Sequence, residues 1–251
     1  VLSAVEAAIR TAELTDGVLD PTLTGELEAV GYDRSLAGAT PVPLERALPL
    51  APARRAARPS PVSRWREIAV DRGLGAVRRP PGVRLDSGGV GKGMAADLAA
   101  TLLTGHSRFV VDAAGDLAVG GMQAATRPYE IAVEHPITGE HVHTVRVARG
   151  GIATSGLNSR MWYREDGSIA HHLLDPASGQ PAWTGLLMVT ARGESALEAE
   201  TLSKWALLAG PAGARRILAR QGGLSVHDDG DVELHGPLRE RMSVSIVVAP
   251  A

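Results

Sequence analysis

Leu2, Val5, Ile9 and Ala12 recur at three- and four-residue spacing. That stripe predicts a helix over residues 2–14, and Gly17 just beyond it suits a C-terminal cap. Asp20-Pro21-Thr22-Leu23 reads as a turn, with a short helical stretch after it ending near Gly31. Residues 49–63 (PLAPARRAARPSPVS) carry no period and are rich in Pro, Ala and Arg. They predict a surface loop, not a linker between domains. Strand-like sequence resumes at once with Trp65, Ile68 and Val70, before a turn at Asp71-Arg72-Gly73.

Residues 85–93 (LDSGGVGKG) form a glycine-rich loop leading into a helix from about 94 to 104, stopped by Gly105. Phe109-Val110-Val111 predicts a buried strand, and Ala114-Gly115-Asp116 a tight turn. Strands follow near 129–134 and 142–148 around Thr138-Gly139, then from His171 to Asp175, then over 186–191. Ser195-Ala196-Leu197-Glu198 is a capping box opening a helix that ends at Gly210. A second helix over about 212–221 ends at Gly222-Gly223, a hairpin turns at Asp229-Gly230, and 242–248 predicts a last strand. Strands and helices mix without strict alternation, which gives an α+β class and no repeats.

Composition narrows the chemistry. The formal net charge is −2 with 44% apolar residues, a soluble globular balance without the basic footprint of a nucleic-acid binder. Cysteine is absent, which excludes disulfides, thiolate catalysis and iron–sulfur clusters. No apolar run approaches the roughly 18 residues of a membrane span. The chain opens on Val1, so a processed or trimmed start is expected, and the compartment, cytoplasmic or exported, stays open. Of 26 basic residues only two, Lys92 and Lys204, are lysine. Where arginine serves everywhere else, a retained lysine calls for a physical reason.

Three constellations could carry chemistry. Glycines 88, 89, 91 and 93 let backbone amides approach a phosphate, and Lys92 adds a charge. The spacing matches neither a Walker loop, since Gly93 follows the lysine, nor a dinucleotide fingerprint, and a plain turn with a solvated lysine is an equal reading. His171-His172 precede Leu173-Leu174-Asp175-Pro176, and a histidine at a strand end can act as general base or be structural. Glu200 and Lys204 stand four apart on the capped helix. On a surface such a pair is worth roughly 0.2–0.5 kcal/mol.

Taken in order, these segments resemble the ApbE-type flavin transferases (FAD:protein FMN transferases). The resemblance is carried by Thr15-Asp16-Gly17 with Leu19-Asp20-Pro21-Thr22, by Leu85 to Gly93 with Ala96-Asp97, and by Ala114-Gly115-Asp116 with Gly120. It continues through Thr154-Ser155-Gly156, through His172 to Pro176 with Ser178-Gly179 and Pro181, and through the helix from Ala199-Glu200 to Gly210. It implies one domain over 1–251 lacking the family's N-terminal segment. It also implies largely antiparallel sheets with packed helices and an FAD cleft between two lobes. The implied reaction moves FMN from FAD to a Ser or Thr hydroxyl of a target protein and releases AMP. The implied partners are therefore FAD and a protein with a Ser/Thr flavinylation motif, with no nucleic acid.

By the same resemblance, His172 activates the hydroxyl. Val18, Leu19, Asp20, Asp86 and Lys92 contact FAD, and Gly89 and Glu200 fall on Mg²⁺ ligands. Glu200 stands where the family has Asp, and Lys204 where it has a Thr ligand. An ammonium has no lone pair for a metal. Either Lys204 supplies the charge on the pyrophosphate in place of the ion, the favoured outcome, or the ion shifts toward Glu200. The alternatives to transfer are an FAD-binding or storage protein and an FAD pyrophosphatase giving FMN and AMP.

Overall fold

The computed structural model describes residues 1–34 and 40–239. The strand expected over 242–248 lies outside the described residues. Helix α1 (Leu2–Leu14) buries Val5, Ala8, Thr11 and Ala12. It closes where Asp16 turns left-handed (φ +49°) and the Gly17 N–H donates to the Ala12 carbonyl at 2.7 Å. Asp16, not the glycine, is the first residue in that conformation. Helix α2 (Thr24–Ala29) follows the Asp20–Leu23 turn, and α3 (Leu44–Ala47) is a single turn.

The loop over 49–63 runs along the surface but is pinned there. Arg55 N–H donates to the Trp183 carbonyl, Ala57 N–H to the Leu208 carbonyl, and Arg58 N–H to the Asp175 carboxylate. Trp65 sits in a 3-10 turn (Arg64–Glu67), outside the hairpin of β1 (Ala69–Asp71) and β2 (Ala76–Arg78). Helix α4 (Gly91–Thr101) begins three residues before the position expected. Gly91, Lys92 and Gly93 are therefore its first turn, not loop.

Strands β3 (Phe109–Ala113) and β4 (Asp116–Gly120) form a hairpin over Ala114 and Gly115, both at positive φ. Expected to be buried, β3 is instead a half-buried edge strand. Strands β5 (Tyr129–Glu134) and β6 (His141–Val147) make a separate hairpin, followed by β7 (Gly150–Gly156). Strands β8 (Met161–Tyr163) and β9 (Ile169–His171) pair, as do β10 (Leu174–Asp175) and β11 (Gln180–Pro181). The one strand expected from His171 to Asp175 is thus two, parted at His172-Leu173. There the His171 Nδ1, not a neighbouring strand, accepts from the Leu173 N–H (3.3 Å).

Strand β12 (Leu186–Gly193) leads into α5 (Ala196–Ile217), which Ser195 caps by accepting from the Glu198 N–H. Gly210 (φ +69°, ψ −177°) breaks α5 ahead of Pro211, at the glycine where the sequence ends its first helix. Strands β13 (Gly223–His227) and β14 (Val232–His235) complete an antiparallel sheet of order β14-β13-β12-β7-β4-β3. The α+β class holds.

Alternation sorts each strand between two layers. Leu187, Val189 and Ala191 of β12 join Leu202, Ala206 and Leu207 of α5, whereas Met188 joins Ile152, Val133, Val145 and Val147 beneath the β5–β6 hairpin. On β4, Ala118 meets Ala96 and Ala196 of the two helices, while Val119 belongs to the hairpin side. Asp116, two residues before Ala118, is thereby aimed at the helices. Among the described residues no helix is long and apolar enough to cross a membrane.

Candidate active site

Two carboxylates lock α4 onto α5. Asp97 accepts from the Ala196 and Leu197 N–H groups at 2.8 and 3.0 Å, capping the first turn of α5 from a neighbouring helix. Glu200 Oε2 accepts from the Gly93 N–H at 2.8 Å. The helices touch so closely that a Cβ on Gly93 would lie 2.6 Å from the Ala196 carbonyl oxygen. This contact explains a glycine inside the first turn of α4.

Above this junction lies a cavity of about 390 Å³ between the α1–α2 connection, the glycine loop, the β9–β10 break and α5. That volume suits a small-molecule site. Val18, Leu19, Asp20, Asp86, Gly89, His172 and Lys204 all line it, although they are scattered over 187 residues of chain from Val18 to Lys204. Leu23, Leu27, Leu173 and Leu208 supply apolar wall. The Asp86 N–H donates to the Pro21 carbonyl, so the glycine loop is tied to the α1–α2 turn. Asp86 Oδ1 in turn accepts from the Gly88 N–H. Asp20 accepts from the Thr22 N–H and Oγ1 at 2.8 and 2.6 Å; burial raises its pKa against those bonds.

Lys92 and Glu200 lie just outside the wall. Lys92 Nζ is 3.0 Å from the Asp116 carboxylate, which is buried. Lys204 Nζ donates to Glu200 Oε1 at 2.6 Å, and Glu200 is fully buried. The pair spaced for a helix surface is therefore an interior one. Burial lowers the Lys204 pKa, with the Glu200 charge opposing, and burial followed by the Glu200 charge raises that of Asp116. Each lysine holds one carboxylate, and the quartet sums to zero.

His172 is half-buried, with Nδ1 3.4 Å from the Arg160 carbonyl. That contact assigns the proton to Nδ1 and leaves Nε2 basic. Burial, then the Arg160 charge, lowers its pKa to about 4, so the ring is neutral at pH 7. His171 points away into the core, edge-on to Trp183, and its pKa falls to about 3 through burial. His171 ends β9 facing the core, His172 lies in the break after it, and one of the two reaches the cavity.

The residues fit an anionic, phosphate-bearing ligand. Glycine-loop backbone, the Lys204 ammonium and the guanidiniums of Arg34 and Arg160 line the cavity beside the carboxylates of Asp20, Glu28, Asp33 and Asp86, and Lys204 has spent one of its three N–H donors on Glu200. They do not fit a divalent ion. Both Glu200 oxygens are engaged, and residue 204 offers donors only. Among the described residues no group of three or more His, Asp or Glu could hold a metal. Of the two residues expected on an ion, Gly89 is on the wall and Glu200 is behind it, bound to a lysine.

Sequence reasoning missed three participants. Asp116 was legible as part of a turn and of a family motif but was assigned no role, though its two-residue offset from Ala118 carries its orientation. Asp97 was visible in a motif, but its role needs α5 beside it. Arg160 acts through its carbonyl and its charge, for which the sequence has no signal.

The ApbE family profile matches residues 1–227. An FAD:protein FMN transferase of Klebsiella pneumoniae is 34% identical over 146 residues, 57% of this chain and 41% of that protein. One from Vibrio cholerae is 27% identical over 213 residues, 83% of this chain and 60% of that protein. The chain thus spans about half the length of these relatives. The crystal structure of the ApbE protein from Thermotoga maritima superposes with a TM-score of 0.72 at 28% identity, covering 95% of this chain and 76% of that one. The apo flavinyl transferase ApbE of Pseudomonas stutzeri shares the fold at a TM-score of 0.70 and 23% identity, covering 97% and 75%. Fold, motif order and family profile agree: the chain belongs to the ApbE family.

Proposed function

We propose that the cavity binds FAD and that the protein transfers its FMN half to a Ser or Thr hydroxyl of a target protein, releasing AMP. The observation that carries this reading is a neutral histidine, His172, on the wall that also holds Lys204 and the glycine loop. A protein that merely stores FAD needs no base there. The names of the K. pneumoniae and V. cholerae relatives support the same reaction.

The step is phosphoryl transfer. The hydroxyl oxygen attacks the phosphorus on the flavin side, and a new P–O bond forms. The bridging P–O bond breaks, and its electron pair leaves with AMP. The hydroxyl proton passes to His172 Nε2. Such chemistry depends on positioning and charge stabilisation. The ring as it stands is a weak base, but the diphosphate's negative charge beside it raises its pKa toward a useful range. No divalent ion enters this reading, because the residues around Glu200 do not fit one.

His172→Ala tests it. FAD binding is retained, and AMP release with flavin appearing on a Ser/Thr target peptide falls roughly 10²–10⁴-fold. Unchanged turnover removes His172 from the reaction. AMP release without a flavinylated peptide in the parent protein assigns hydrolysis instead.

A further inference from the structure

We propose that Lys204 is the resident counter-cation of the bound diphosphate, so that this chain holds FAD without a divalent metal. The inference rests on the reading of the cavity as the FAD site and deepens it. Lys204 is the one ammonium on the cavity wall, and its side chain is only 10% exposed. It is held from behind by Glu200 Oε1 at 2.6 Å, while Glu200 Oε2 is held by the Gly93 N–H. The ammonium is thus fixed from its protein side and keeps its remaining N–H donors for a ligand oxygen. Lys92, fixed on Asp116, adds a second positive charge close enough to act on both Lys204 and His172.

A divalent ion entering this place would have to displace the ammonium from Glu200 and leave it buried without its partner. A dianionic diphosphate needs no displacement, because it meets Lys204 already oriented, with the charge of Lys92 close by. The choice of lysine follows from the same geometry. An ammonium is a compact point charge with rotatable donors, whereas guanidinium is a rigid planar fork. In a chain whose other basic residues are all arginine, the two lysines stand where a compact cation fits between a buried carboxylate and the site.

Fluorescence titration of FAD into the protein, in EDTA and in Mg²⁺, tests this through binding alone. The expected result is one affinity in both buffers. In Glu200→Asp/Lys204→Thr, which replaces the ammonium by a hydroxyl, affinity in EDTA falls roughly ten- to hundred-fold, the worth of a charge-assisted hydrogen bond, and Mg²⁺ restores it. Parent protein that binds FAD only with Mg²⁺ overturns the inference and leaves the FAD reading standing. A double variant matching the parent in EDTA overturns it as well. Failure of the parent to bind FAD in either buffer overturns the FAD reading and the inference with it. The parent titration needs no variant to fold.

Discussion

Beneath the β5–β6 hairpin, the sheet buries Val119, Val145, Val147, Ile152, Leu224 and Val226 in one aliphatic cluster. Beneath α4 and α5, the same sheet buries Asp116, and Glu200 and Lys204 of α5 are buried within reach of its charge. Aliphatic burial is non-directional and roughly proportional to area. Each charge on the helix side is tolerable only through its partner. The hairpin face carries stability in small independent portions; the helix face adds to its own aliphatic cluster a set of charged units that stand or fall together. The candidate active site borders the second.

Glu200→Ala breaks the contrast most sharply. It leaves the Lys204 ammonium and the Gly93 N–H without their acceptor and should cost about 3–5 kcal/mol in urea unfolding. Replacing the pair by apolar residues, Glu200→Leu/Lys204→Met, should recover the part of that stability lost to the stranded ammonium, but not the part lost at the Gly93 N–H, and should not recover FAD binding. A single-variant loss below about 1 kcal/mol would show that the pair does not carry the junction. On the opposite face, Leu224→Ala should cost about 2–5 kcal/mol as an ordinary cavity, with FAD affinity unchanged.

Acid adds a case outside both faces. His171 is fully buried, and its Nε2 has no hydrogen-bond partner among the described residues. Its pKa is about 3 in the folded protein and about 6.5 unfolded, so between those values the unfolded chain binds the extra proton. Stability is therefore complete above about pH 6.5 and declines as the pH falls toward 3, on the order of a few kcal/mol from this residue. Urea midpoints against pH should show a shallower acid limb in His171→Leu than in the parent. Identical limbs would mean that His171 is not buried neutral. The smallest effect is expected at Arg72, whose bidentate contact with Glu6 is exposed: Arg72→Ala should leave the midpoint where it was.

Helix α1, the β5–β6 and β13–β14 hairpins, the Ser195 cap and the break at Gly210 were legible because each is written in a local period or a turn residue. The start of α4 was not, because Gly91 and Gly93 read as loop. What makes Gly93 acceptable in a helix is the approach of α5 from over a hundred residues away. The break at His172-Leu173 was hidden for a similar reason: an apolar run looks the same whether one strand or two hairpins use it.

The cavity-lining residues were found through motif order, not through chemistry that spacing alone could supply. An i,i+4 Glu–Lys pair has one spelling on a surface and in an interior. The scarcity of lysine was the hint that separated the two, and it also pointed to Lys92 without revealing Asp116.

The bond between Glu200 and Lys204 also constrains how this sequence can drift. A lone exchange at either position strands a buried charge, so the first mutant on any route away from the pair is the least fit. A compensating exchange one helical turn away has to follow before selection removes it. Loss of charge at positions 200 and 204 is tolerable only as a pair.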